Sequence, residues 1–212
     1  GSTNILARLV GQKLTERWSQ QVTVNNRPGG NTIVGTEAVA KSPPDGYTIL
    51  FISPAFIITP LLRSTPYDTS RDFAPVATIS SFELILVLDR SVPANNLQEF
   101  IALAKARPGQ LNYATSGSGG LQHLTVELFS IVAGVKMQHI PYKGGRLAVT
   151  DLIGGQVQLA FQSPIVSIPH IRSGKLKAIA ISGETRLSAL PQVPTFTEAG
   201  LPGFEMKAWW GV

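Results

Sequence analysis

The chain has 212 residues, of which 43% are hydrophobic and 15% charged, a balance that excludes intrinsic disorder and supplies core for one large domain or two small ones. It has no cysteine, which excludes a disulfide scaffold, a thiol nucleophile and a thiolate metal site. The net charge of +5 and pI near 9.7 arise from Lys and Arg scattered singly, without a basic run or helix face, so attraction of anionic solutes is favoured over nucleic-acid binding.

In chain order, Gly1-Ser2-Thr3-Asn4 leads directly into a helical pattern carrying Ile5, Leu6, Leu9, Val10 and Leu14. A short strand is predicted at 22–24, then a helix over 31–41 with Ile33, Val34 and Ala38 on one face. The turn Pro43-Pro44-Asp45-Gly46 announces a buried strand at 47–52, and Ser53-Pro54 opens a short helix running through Leu62. Strands follow at 76–79 and 84–88, the second leading out of the first domain.

In the second half, Asn96 caps a helix over 97–106 that Pro108-Gly109 ends, and 111–114 is a strand. Helix is predicted from 121 to 132, strand at 138–140, helix at 146–153, strand at 157–161, helix at 165–172 and strand at 178–181, with 204–210 extended. Such alternation predicts an α/β fold. No apolar run approaches the roughly 20 residues that span a bilayer, and no charged-then-apolar leader is present, so the chain is not expected to be membrane-embedded.

The segment with the clearest chemistry is Thr115-Ser116-Gly117-Ser118-Gly119-Gly120, between a strand and a helix. The first N–H groups of a helix lack intrahelical partners and sit at the positive end of its dipole, so a carboxylate fits there. The three glycines let backbone approach a ligand, and the hydroxyls of Thr115, Ser116 and Ser118 offer further donors. The alternative is an ordinary Ser-capped helix after a flexible turn.

Enzyme readings find little purchase, and no catalytic residue is assigned. Ser118 is flanked two residues away by Ser116 and Gly120, which fails the Gly-x-Ser-x-Gly elbow of a hydrolase. His123, His139 and His170 show no metal-ligand spacing, and a dinucleotide loop beginning at Gly117 fails at Gln122. His123, in the first turn of its helix, is read as a structural hydrogen-bonding residue because the dipole there disfavours a positive imidazolium. No metal and no cofactor are expected.

Beyond that loop, the run Met137-Gln-His-Ile-Pro-Tyr-Lys-Gly-Gly145, the segment Asp151–Phe161, Ser173-Gly174-Lys175-Leu176 and Leu190-Pro191-Gln192-Val193-Pro194-Thr195 follow in order. Upstream stand Asn26-Arg27-Pro28-Gly29-Gly30, Pro44-Asp45-Gly46-Tyr47, Pro66-Tyr67-Asp68 and Arg71-Asp72-Phe73-Ala74-Pro75-Val76. Over essentially its whole length this chain resembles the periplasmic solute-binding receptors of tripartite tricarboxylate transporters, the Bug proteins. The resemblance implies a two-lobed periplasmic-binding-protein fold of type II, with two α/β domains joined by two crossover strands, truncated here at both ends. It places the first lobe at 1–89 with 206–212 and the second at 90–205. It further implies a small organic carboxylate, aromatic or dicarboxylate among the possibilities, held in a cleft that closes by a hinge. The partners it implies are that ligand and the transporter's membrane permease, in the periplasm after removal of a signal peptide. A ligand-sensing domain for a signalling partner is the alternative, and a hydrolase a more distant one.

For Gly1, Ser2, Thr3 and Asn4 the resemblance favours a ligand-facing helix entry over a simple N-cap or a cloning remnant, with Asn4 where the family usually has Asp. Ser53 is a candidate donor to a ligand oxygen and Phe56 a candidate cover for an apolar ligand body, against the alternatives of a capping Ser and a core Phe. Lys143 and Gly144 open another helix whose N–H groups suit a second carboxylate or a water, with Lys143 otherwise a surface lysine. Phe161 and Gln162 end a strand, and by resemblance the position of Gln162, often Asp in the family, contributes to ligand choice. Neutral Asn4 and Gln162 together imply a ligand lacking an amine. Trp209 and Trp210 are expected near the cleft mouth, one of them in the core.

Overall fold

The structure is a computed structural model that describes residues 2–212; Gly1, one of the expected ligand residues, lies outside them. The chain up to Ser81 forms one compact unit together with Trp209–Val212, and Phe82–Ala208 forms a second. Strands β1 (Thr78–Glu83) and β7 (Lys207–Gly211) pair with each other, so the chain crosses from unit to unit along one two-stranded ladder.

The first unit contains helices α1 (Ser2–Trp18), α2 (Ile33–Ala40) and α3 (Ala55–Leu62), with a 3-10 turn, Gly30–Thr32, ahead of α2. Its core centres on Phe56 of α3, which meets Phe73 edge-on at 5.1 Å between ring centroids and Tyr67 face to face at 6.5 Å. The turn between Tyr67 and Phe73 is held by the Asp68 carboxylate, which accepts from the Ser70 N–H at 2.8 Å and hydroxyl at 2.6 Å and from the Arg71 N–H at 3.1 Å. These bonds, led by the Ser70 hydroxyl, hold the Asp68 pKa down at about 2. Ahead of α2, Asn31 and Thr32 adopt left-handed backbone at φ 53° and 81°. Asn31 is fixed there by a reciprocal pair with Thr59: its Nδ2 donates to Oγ1 at 3.0 Å, and the hydroxyl returns a bond to the Asn31 carbonyl at 3.1 Å.

Several expectations for this unit are corrected. Residues 22–24 form no strand, and 47–52 contribute only the bridge between Ile52 and Gly211, with N–H to O bonds of 2.9 and 3.1 Å. An apolar run becomes a strand only where a neighbouring backbone satisfies its N–H and C=O groups. Here Val22 donates instead to the Thr15 hydroxyl, and Tyr47, expected to be buried, is 93% exposed. The helix predicted over 31–41 is broken at Asn31 and Thr32, and on α2 the buried residue is Thr36. The strand expected at 76–79 begins two residues later, because Val76 and Ala77 donate to the Val212 carbonyl.

The second unit carries β2 (Ile85–Asp89), α4 (Leu97–Ala106), β3 (Asn112–Thr115), α5 (Leu121–Ala133), β4 (Gln138–Pro141), α6 (Gly145–Ile153), β5 (Leu159–Gln162), α7 (Pro164–Arg172) and β6 (Leu176–Ile181). Its sheet runs β4-β3-β5-β2-β6, with β3 parallel to both β4 and β5 and β2 antiparallel to β5 and β6. Strand β2 lies inside this sheet, and the second unit begins ahead of it at Phe82. Every residue of β2 is buried, since helices cover both faces. Leu86 and Leu88 join a core with Phe100, Phe129, Phe161, Phe196 and Phe204, while Ile85 and Val87 pack with Ala148, Leu152 and Ile181 on the other side. Asn96 caps α4 as predicted, its Oδ1 accepting from the Glu99 N–H at 2.9 Å while Glu99 accepts from the Asn95 N–H at 2.7 Å.

One buried hydroxyl gathers the two ends of this unit. Ser182, just past β6, accepts from the Leu84 N–H at 2.8 Å and donates to the Met206 carbonyl at 2.5 Å. Its own backbone continues the same pattern, with Ser182 N–H to Leu84 O and Met206 N–H to Ser182 O both at 2.9 Å.

Candidate functional site

Since β4, β3 and β5 are parallel neighbours, their carboxyl ends, Pro141, Thr115 and Gln162, fall at one edge of the sheet. From that edge each strand feeds a helix, α6, α5 and α7 respectively, so three helix N-termini start beside one another. Each carries the positive end of a dipole, and α5 and α6 add the first-turn N–H groups of a helix start, whereas α7 opens on Pro164, which has none, and its Val166 N–H is bonded to the Ser163 carbonyl at 3.1 Å. Contact at this edge is direct: a Cβ placed on Gly145, the first residue of α6, would stand 4.0 Å from that of Ser116.

The Ser/Gly loop before α5 is held by side chains rather than left loose. The buried Thr115 hydroxyl donates to the Gly117 carbonyl at 2.9 Å and lies 2.7 Å from His139 Nε2. Gly119, at φ 78°, donates its N–H to His123 Nδ1 at 3.0 Å. This is the structural hydrogen-bonding role the helix position predicted for His123, whose Nε2 faces the Glu127 carboxylate at 3.8 Å. The Tyr113 phenol also donates to Glu127, and burial with that carboxylate raises its pKa. Burial first, then the charge of His123, lowers the His139 pKa to about 4, against an opposing pull from Glu127.

Gln122 ties this loop to the end of β5. Its Oε1 accepts from the Ser116 N–H at 3.0 Å, and its Nε2 donates to the Phe161 carbonyl at 2.8 Å and to Gln162 Oε1 at 3.3 Å. The Gln162 side chain is buried, and its Nε2 has no hydrogen-bond partner.

Of the residues singled out in the sequence, the structure brings Thr115, Ser116, Gly117, Ser118, Gly119, Gly144 and Gln162 to this edge, with Lys143 exposed beside it. Phe161 offers its carbonyl there, while its ring lies in the core. The remaining candidates belong to the first unit. Ser2, Thr3 and Asn4 lie in the first turn of α1, where Thr3 Oγ1 accepts from Trp210 Nε1 at 3.3 Å. Asn4 donates to Asn26 at 2.7 Å and accepts from Arg8 at 3.3 Å. Ser53 precedes α3, its carbonyl accepting from the Phe56 N–H at 2.9 Å, and Phe56 is packed in the aromatic core. Gln122, His139 and Glu127 went unassigned in the sequence because each acts through partners distant in the chain or a turn away on the same helix. Among the described residues no group of three or more His, Asp or Glu side chains is placed to hold a metal, and no helix is long and apolar enough to cross a membrane.

The chain is similar to known proteins along its whole length. Residues 6–212 match the family described as tripartite tricarboxylate transporter family receptor. Protein BugT of Bordetella pertussis is 39% identical over all of this chain and 66% of its own length, so the chain spans slightly under two thirds of that relative. Among solved structures, R. palustris Rpa4515 with adipate superposes with a TM-score of 0.97 at 34% identity, covering 100% of this chain and 71% of that one. MatC from Rhodopseudomonas palustris with bound malate gives 0.90 at 28% identity, covering 99% and 72%. The α/β periplasmic-binding-protein fold class expected from the sequence is thereby shown.

Proposed function

The chain belongs to the tripartite tricarboxylate transporter receptor family, and from that premise we propose that it captures a small organic carboxylate at the loop edge of its second unit. The observation that carries this reading is the meeting of three helix N-termini at the ends of β3, β4 and β5 beside a Ser/Gly loop. Backbone N–H groups supply the charge complement there, so an Arg or Lys clamp is not required. Adipate and malate, the ligands of two structural neighbours, are both dicarboxylates, which makes that class the first to try. In this role the protein is periplasmic, is not an enzyme, and hands its solute to the membrane permease of a tripartite tricarboxylate transporter.

The test is a thermal-shift screen against mono- and dicarboxylates, amino acids and sugars, followed by titration calorimetry. A ligand present at a hundredfold excess over its Kd stabilises the folded state by about 2.7 kcal/mol, well within detection. A dicarboxylate hit weakened at least tenfold by Gly119→Val supports the reading; hits confined to sugars or amines overturn it.

A further inference from the structure

We infer that Gln122 is a positioning residue that sets the polarity of the site: it forces Gln162 to present an amide N–H donor, so the ligand group at Gln162 is an oxygen acceptor and never an amine. This rests on the reading of the site as carboxylate-binding and adds what selects the ligand's second group.

The argument runs outward from two backbone groups whose chemistry cannot change. The Ser116 N–H can only donate and the Phe161 C=O can only accept, and one Gln122 amide bridges both at 3.0 and 2.8 Å. Rotating that amide by half a turn would set donor against donor and acceptor against acceptor, so its orientation is fixed. With its Nε2 facing Gln162, the partner atom there is Oε1, at 3.3 Å. The Gln162 Nε2 is then the end turned away from Gln122, and it is a buried donor without a partner. A buried N–H gains most from an acceptor and is repelled by an ammonium group. A second copy of the same logic does not arise for Asn4, whose amide is taken up by Asn26 and Arg8.

The test compares adipate with 6-aminohexanoate, which keeps one carboxylate and replaces the other by an amine, using calorimetry on the full chain and its variants. Wild type is expected to bind adipate at least tenfold more tightly. Gln122→Met frees the Gln162 amide to rotate and brings the ratio to within about threefold of unity. Gln122→Glu replaces the donor by a carboxylate, turns Gln162 to present Oε1, and inverts the preference. A merely structural Gln122 would scale both affinities together, and an unchanged ratio in both variants, each with a cooperative thermal transition, overturns the inference. Gln162→Met separates the two levels. If it weakens adipate while the Gln122 variants keep the wild-type ratio, the site reading stands and the relay falls. If Gln162→Met leaves adipate binding unchanged, or wild type binds neither probe, the placement of the ligand at this edge falls and the relay with it.

Discussion

The imidazoles of His123 and His139 lie face to face, 4.0 Å between centroids and 14° between planes, with Tyr113 stacked on His139 at 4.9 Å. Each ring holds one residue of the Ser/Gly loop, His123 through the Gly119 N–H and His139 through the Thr115 hydroxyl. Two imidazolium ions at that separation repel, which adds to burial in keeping His139 neutral.

This arrangement makes stability depend on pH through His139. Its folded pKa, about 4, lies below the value near 6.5 of an unfolded histidine, so between those values the unfolded chain binds the extra proton. The contribution is therefore complete above pH 6.5 and is lost as pH falls toward 4, a decline on the order of 1 kcal/mol at this partly exposed ring once screening is allowed for. Urea midpoints measured across that range should fall with pH, and His139→Phe, which keeps a ring but cannot titrate, should flatten the slope.

Gly119 sits at φ 78°, where a Cβ is disfavoured, and its N–H is committed to His123. Gly119→Ala should cost about 1–2 kcal/mol, read as a lower Tm, while the far-ultraviolet spectrum is unchanged.

Phe196 packs against Phe129, Phe161 and Phe204 at centroid distances of 5.9, 5.8 and 4.5 Å. Truncation at this fully buried position leaves a void that three rings cannot fill, and Phe196→Ala should cost about 3–5 kcal/mol by urea denaturation.

Removing the Ser182 hydroxyl leaves the buried Leu84 N–H without its acceptor and the Met206 carbonyl without the Ser182 donor. Ser182→Ala should destabilise by about 1–3 kcal/mol, and hydrogen exchange at Leu84 should speed up more than exchange at the remote cap residue Glu99.

What was legible in the sequence was what local chemistry decides. Asn96 ahead of an apolar helical run reads as an N-cap from its residue type and place alone, and the Ser/Gly loop between a strand and a helix reads as a helix entry on the same local grounds. The segments 22–24 and 47–52 misled because apolar, β-prone residues do not say whether a neighbouring strand exists to pair with them. Gln122 carried no signal: its roles come from Phe161 and Gln162, 39 and 40 residues away, which only the parallel β3–β5 pairing brings alongside. Phe56 was ambiguous between ligand cover and core, and its contacts with Tyr67 and Phe73 depend on a turn set by Asp68.

Because Leu84 and Met206 are both bound to Ser182, the polypeptide enters and leaves the second unit through neighbouring points. Topologically that unit is a cassette spliced into the first. Its ends are already clasped, so it suits excision as a free-standing domain, grafting into a surface loop of another protein, or circular permutation by a short linker joining the two ends.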